Sequence, residues 1–220
     1  MIVLGTVESI EFGLWFVVVG YYWLLFGYYL IFRYPENRNI FNLAIALFFL
    51  SLAVGRGFYI VFDFYASDIL WWKMGTFFQW TGLSCVSAAI ALKLFTKKII
   101  QYPFVLIPVV LGCTIFLIPP EHLDVLRLLL IYVFAPIYAI LIPAFFFFIA
   151  WRIGGRIRIG ALLCGVGFLV LYAGRTLHAT LIKPWLGAII GWEALVRLLP
   201  PSLVIIALFF IVSGSQILGK

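Results

Sequence analysis

Charge is what this sequence has least of. Only 10% of its 220 residues are Asp, Glu, Lys or Arg, while 66% are hydrophobic; soluble domains carry about 25% and about 45 to 50% respectively. That deficit excludes a water-soluble globular fold and points to an all-α, polytopic protein of the cell membrane, with the lipid bilayer as its first partner. Histidine is nearly as scarce. The two present, His122 and His178, are too few for a dihaem membrane cytochrome and make no zinc constellation. The three cysteines, Cys85, Cys113 and Cys164, sit singly in apolar segments with no Cys-x-x-Cys spacing, so they read as small packing residues and not as metal ligands or disulfides.

Other absences narrow the function. The eight acidic residues include no pair spaced for acid/base catalysis. Gly154 and Gly155 lie in a basic turn without a phosphate-binding pattern, and no serine elbow is visible. The reading is therefore of a protein that is not an enzyme, with no metal and no cofactor. Ahead of the first apolar segment there is no basic residue, only Glu8 and Glu11, which is not the pattern of a secretory signal peptide.

What is present is a series of long apolar runs. Bounded by charges and by Pro/Gly clusters, seven spans are predicted at about 11–33, 40–64, 69–95, 99–118, 123–151, 158–182 and 193–217. The whole chain, 1–220, then forms a single seven-helix transmembrane domain. Pro200 and Pro201 interrupt the last span, so a short interfacial piece followed by a shorter span is an alternative there. Trp71, Trp72, Trp151, Trp185 and Trp192 near span ends read as interfacial anchors.

The loops after spans 1, 3 and 5, with the C-terminus, hold Arg33, Arg38, Lys93, Lys97, Lys98, Arg152, Arg156, Arg158 and Lys220 against Glu36 alone. Short cytoplasmic loops accumulate Lys and Arg, which puts the N-terminus outside and the C-terminus inside. The net charge of +7 is thus a topology signal, and nucleic acid is not implied.

Two Gly-Arg dipeptides interrupt apolar runs: Gly55-Arg56 in SLAVGRGFYIVFDF and Gly174-Arg175 in VLYAGRTLHATLIK. They lie 119 residues apart, and the same offset carries Arg33 onto Arg152, the basic residue closing the preceding span. Spans 1 to 3 (about 8–98) then repeat as spans 5 to 7 (about 123–217), with span 4 (about 99–118) as a linker. An odd linker keeps both halves in one orientation, a parallel repeat.

This layout resembles the three-plus-one-plus-three arrangement of the transporter, opsin and receptor superfamily, which includes the SWEET sugar transporters and the microbial rhodopsins. The resemblance covers the chain as architecture only. A microbial rhodopsin carries its retinal-binding lysine within the seventh span, whereas here Lys220 lies beyond that span. The Pro-Gln dipeptide of the SWEET relatives is also absent, so neither retinal nor sugar carries over. The chain also resembles the seven-helix sensory regions ahead of prokaryotic histidine kinases; no kinase domain follows, so signalling would require a separate cytoplasmic partner.

A buried charge needs a partner, water or a route to the interface. Arg56 lies roughly 12 Å below the outer end of its span at about 1.5 Å per residue. Side chains lean toward the helix N-terminus, so both arginines are expected to lean deeper and to face the bundle interior. Three residues on lie Tyr59 and His178, equivalent under the same offset, and Asp63 returns to the face of Arg56 two turns later. The candidate ligand site is thus Arg56, Arg175, Tyr59, His178 and Asp63, with the arginines expected to face one another across the outer half of the bundle. Asp63 or Glu11 could pair with the arginines as a structural clamp, or the guanidinium groups could remain available to an anionic group. The functional expectation is a receptor or sensor for a small polar or anionic ligand. Its alternative is a small-solute transporter in which two three-helix units rock against each other, with Pro136 and Pro143 as hinges.

Overall fold

A computed structural model of the chain describes residues 5–94, 97–178, 187–188 and 192–218. They are almost wholly helical, in seven successive helical segments. The first is α1 (Thr6–Gly27), which continues through a π-helical turn (Tyr28–Arg33) into the single turn α2 (Tyr34–Asn37). Next come α3 (Ile40–Phe64), α4 (Ile69–Leu94) and α5 (Lys98–Leu117). A 3-10 turn (Pro120–His122) leads into the fifth segment, composed of α6 (Leu123–Leu129), a π turn (Leu130–Phe134) and α7 (Ala135–Arg152). The last two are α8 (Gly155–Leu177) and α9 (Glu193–Leu218). The predicted segment boundaries agree to within a few residues. The ends predicted at 95 and 182, with Lys183, Trp185, Gly191 and Lys220, lie outside the described residues.

Local chemistry places the joints. Arg38 adopts a left-handed conformation (φ 44°) that closes α2, and the Asn39 side chain accepts a hydrogen bond from the Phe41 amide at 3.0 Å to start α3. Gly155, at φ 68°, makes the turn between α7 and α8.

The prolines are accommodated without dividing a segment. The Pro200-Pro201 pair does not divide the last segment, because α9 runs unbroken through both. Both prolines are buried, and packed neighbours let a membrane-type helix tolerate such residues; the adjoining Ser202 hydroxyl donates to the Leu198 carbonyl at 2.8 Å. In the fifth segment the π turn ends just before Pro136, which occupies the first turn of α7, where a missing amide hydrogen costs least.

Five of the segments, Thr6–Glu36, Ile40–Phe64, Ala135–Arg152, Gly155–Leu177 and Glu193–Leu218, are long and apolar enough to cross a membrane. α4 carries several polar side chains, and the bonds of four of them stay inside the protein. Thr76 and Thr81 donate to the carbonyls of Trp72 and Phe77, four residues back. Ser84 donates to the Val105 carbonyl at 2.8 Å and Lys73 to the Ile118 carbonyl at 2.9 Å, so α4 is tied to α5 at two levels. Lys73 is buried, and Ile118 is the cap residue of α5. Its ammonium group therefore answers a helix C-terminus that has lost its own donors.

The helices fall into two compact units. Residues Val19–Leu130 make one; Val3–Val18 with Ile131–Lys220 make the other. Each contains an antiparallel helix pair held by glycine. In the first, α3 and α4 meet at Gly55 and Gly75, where a β-carbon on either would lie 2.9 to 3.0 Å from the other's carbonyl oxygen, and at Gly82, against the Phe48 carbonyl and Ser51. In the second, α8 and α9 meet at Gly160 with Gly214, Gly167 with Ala207 and Ile211, and Gly174 with Pro200. Contacts on each helix step by seven residues, which returns to one side of a helix in a coiled pair. Small residues at such seams let backbones approach and bring Cα–H groups against carbonyl oxygens.

Replacing Gly167 by valine should therefore destabilise the protein by about 1 to 3 kcal/mol, the usual range for overpacking, because its β-carbon would meet the Ile211 amide and the Ala207 carbonyl. Gly20→Ala should not, since nothing lies within 4 Å of a β-carbon there. Thermal unfolding of both variants in the same detergent checks the contrast.

Candidate functional site

Of the five residues singled out from the sequence, three lie in the 19–130 unit and are brought together on α3. Arg56 is only 5% exposed, and its Nη2 lies 3.4 Å from Asp63 Oδ2. Its guanidinium carbon sits 6.0 Å from the centre of the Tyr59 ring, at the edge of cation–π range. The Tyr59 hydroxyl is 2.6 Å from Thr76 Oγ1 on α4; Thr76 spends its one proton on the Trp72 carbonyl, so Tyr59 is the donor.

The direction taken by Arg56 corrects the expectation that it leans deeper. To reach a residue seven positions ahead, roughly 10.5 Å along a helix axis, the side chain must extend toward the C-terminus of α3. Attraction to a carboxylate leaning back toward it outweighs the general bias of helical side chains. Of the two alternatives left open by the sequence, Arg56 has the carboxylate partner that the clamp requires, in Asp63.

The other two lie in the 131–220 unit. His178 ends α8, its amide bonding the Gly174 carbonyl at 3.3 Å. Its ring centre is 4.6 Å from that of Trp15, tilted by 58°, and its Nδ1 is 3.8 Å from Glu11 Oε1. Glu11 is 1% exposed, and its other oxygen lies 3.5 Å from Arg197 Nη1. Arg197 also reaches Glu8 at 3.1 Å and Glu193 at 2.9 Å. Three carboxylates thus converge on one guanidinium where the start of α1, the end of α8 and the start of α9 meet.

Arg175, one turn before His178, is half-buried. All eight acidic residues lie within the described part of the chain, and among the described residues none forms an ion pair with Arg175. The two arginines therefore differ in setting, although the sequence presents them alike. They also fall in different units.

Arg197, Glu8 and Glu193 were not among the sequence candidates. A signal was available: Glu193 and Arg197 are spaced i, i+4, and Glu8 and Glu11 i, i+3, so each pair shares a helical face. No sequence pattern, however, links residue 8 to residue 197. Among the described residues no group of three or more His, Cys, Asp or Glu side chains is arranged to hold a metal ion. No protein-family model matches the chain, and neither a curated protein nor a solved structure is similar to it.

Because Glu11 is buried between Arg197 and His178 while the Glu8 side chain is 38% exposed, the two glutamates should differ in weight. Glu11→Gln should cost roughly 3 kcal/mol, as for a broken buried pair, and Glu8→Gln no more than about 1 kcal/mol. Equal losses of thermal stability in the two variants would contradict this ranking.

Proposed function

We propose that the chain is a seven-span membrane sensor that binds a small polar or anionic molecule near Arg175 and signals through a separate cytoplasmic partner. The observation that carries this reading is the contrast between the buried Arg56 and the half-buried Arg175. Arg56 has a carboxylate at ion-pair distance, while Arg175, in an equally apolar sequence context, has none among the described residues. A guanidinium held in a poorly solvated setting favours an anion, and its planar fork suits a two-oxygen group. In this reading Arg56, Tyr59 and Asp63 brace the companion helix pair, and His178 fixes the end of α8 beside the site.

The glycine seams support the internal repeat of the three-plus-one-plus-three reading. Gly55 and Phe48 on α3 correspond to Gly174 and Gly167 on α8 at an offset of 119, and all four are seam positions. Gly75 and Gly82 on α4 correspond to Pro200 and Ala207 on α9 at an offset of 125. The second pair thus matches the first with six extra residues in the connection. That difference explains why the single offset of 119 carries through the second span of each half but not the third.

The orientation proposed from the basic loops, N-terminus outside, puts the turn at 152–158 in the cytoplasm and the turn at 119–124 outside. Single cysteines at Gly154 and Glu121, introduced in a chain without its native cysteines, should be silent and reactive respectively toward an impermeant maleimide on intact cells. The reverse pattern inverts the assignment.

The functional reading is tested with purified protein in nanodiscs against a panel of small carboxylates, phosphates and neutral polar solutes. At least one anion should raise the melting temperature in the wild type and not in Arg175→Gln, with the Arg175→Gln protein still folded. If an anion instead accumulates in proteoliposomes against a counterflow gradient, the protein is a transporter and the sensor reading fails.

A further inference from the structure

Tyr172 lies one turn before Arg175 on α8, and its hydroxyl is buried without a hydrogen-bond partner among the described residues. Its ring stacks on Phe168 at 6.5 Å and 30°, and Phe168 stacks on Phe146 at 5.4 Å and 12°. The phenol is therefore held by an aromatic column and cannot turn freely toward water. A buried hydroxyl with nothing to bond is uncommon and unfavourable, and a phenol fixed in this way is a ready donor.

The position of Arg175 makes this donor useful. Successive steps of three residues, 172 to 175 to 178, each turn roughly 60° around a helix. Arg175 thus lies between His178, on the side of Glu11, and Tyr172, on the side away from the carboxylates. Side chains at i and i+3 are neighbours, and an arginine leaning back along its helix brings its guanidinium to the level of the preceding turn.

Resting on the reading of Arg175 as the ligand-binding arginine, we infer that Tyr172 is the second donor of that site and that the ligand group is a carboxylate. One carboxylate oxygen would take the phenol proton donor while both face the guanidinium fork. The carboxylate could belong to a water-borne organic acid or to the head of a fatty acid delivered by the bilayer. The chemistry at Tyr172 and Arg175 is the same for both.

The test is scintillation-proximity binding of radiolabelled benzoate, offered from water, and of radiolabelled oleate, offered from the membrane, to the full chain in nanodiscs. At least one should bind the wild type, and which one identifies the source. Tyr172→Phe should weaken that binding about tenfold or more, as expected for a bond to a charged group, and Arg175→Gln should abolish it. Without ligand, Tyr172→Phe should melt no lower than the wild type, because it removes a hydroxyl with no hydrogen-bond partner among the described residues. Unchanged affinity in Tyr172→Phe would overturn the role of Tyr172 and leave Arg175 standing. A lower melting temperature in the absence of ligand would assign the hydroxyl to the fold and likewise overturn its role in binding. Unchanged affinity in Arg175→Gln would overturn both readings, and binding of neither probe by the wild type would overturn the carboxylate assignment.

Discussion

Close backbone approach along glycine seams is the constraint on which the remaining geometry depends. At Gly55 and Gly75, and again at Gly160, Gly167 and Gly174, the facing helix comes within about 3 Å of where a β-carbon would stand. Between apolar helices in lipid the hydrophobic effect offers little, and contact must come from dispersion and weak Cα–H···O interactions that only close packing provides. Each seam then fixes the heights at which the ends of its two helices meet. On α3 and α4 that brings Tyr59 to Thr76; on α8 and α9 it places the end of α8 beside the first turns of α9, where Arg197 stands.

Polar groups collect at those ends because an apolar bundle penalises an unanswered charge by several kcal/mol. The answers differ. Arg56 takes a carboxylate on its own helix. Lys73 takes the terminal carbonyl of a neighbouring helix. Arg197 gathers Glu8, Glu11 and Glu193 from two helices. Arg175 differs from all three in having no carboxylate at ion-pair distance among the described residues.

The helices of both units also show how irregularities are absorbed. The π turn at Leu130–Phe134 precedes Pro136, and Ser202 bonds the Leu198 carbonyl next to the proline pair of α9. In each case the helical segment continues through the proline.

The sequence by itself determined the seven helical segments, because long apolar runs between charges leave the backbone no option but to bond within each run. It also pointed to the pairing of Arg56 with Asp63, since both lie on one helix and helical periodicity alone puts them on one face. Tertiary structure decided the rest. Whether Glu11 meets His178 and Arg197 depends on which helices are neighbours and at what height, information that no local spacing contains. The extension of Arg56 toward the C-terminus of α3 depended on a specific charge overriding a general rotamer bias. The difference between Arg56 and Arg175, two dipeptides that look alike in the chain, lies in the presence or absence of a carboxylate nearby, and packing determines that.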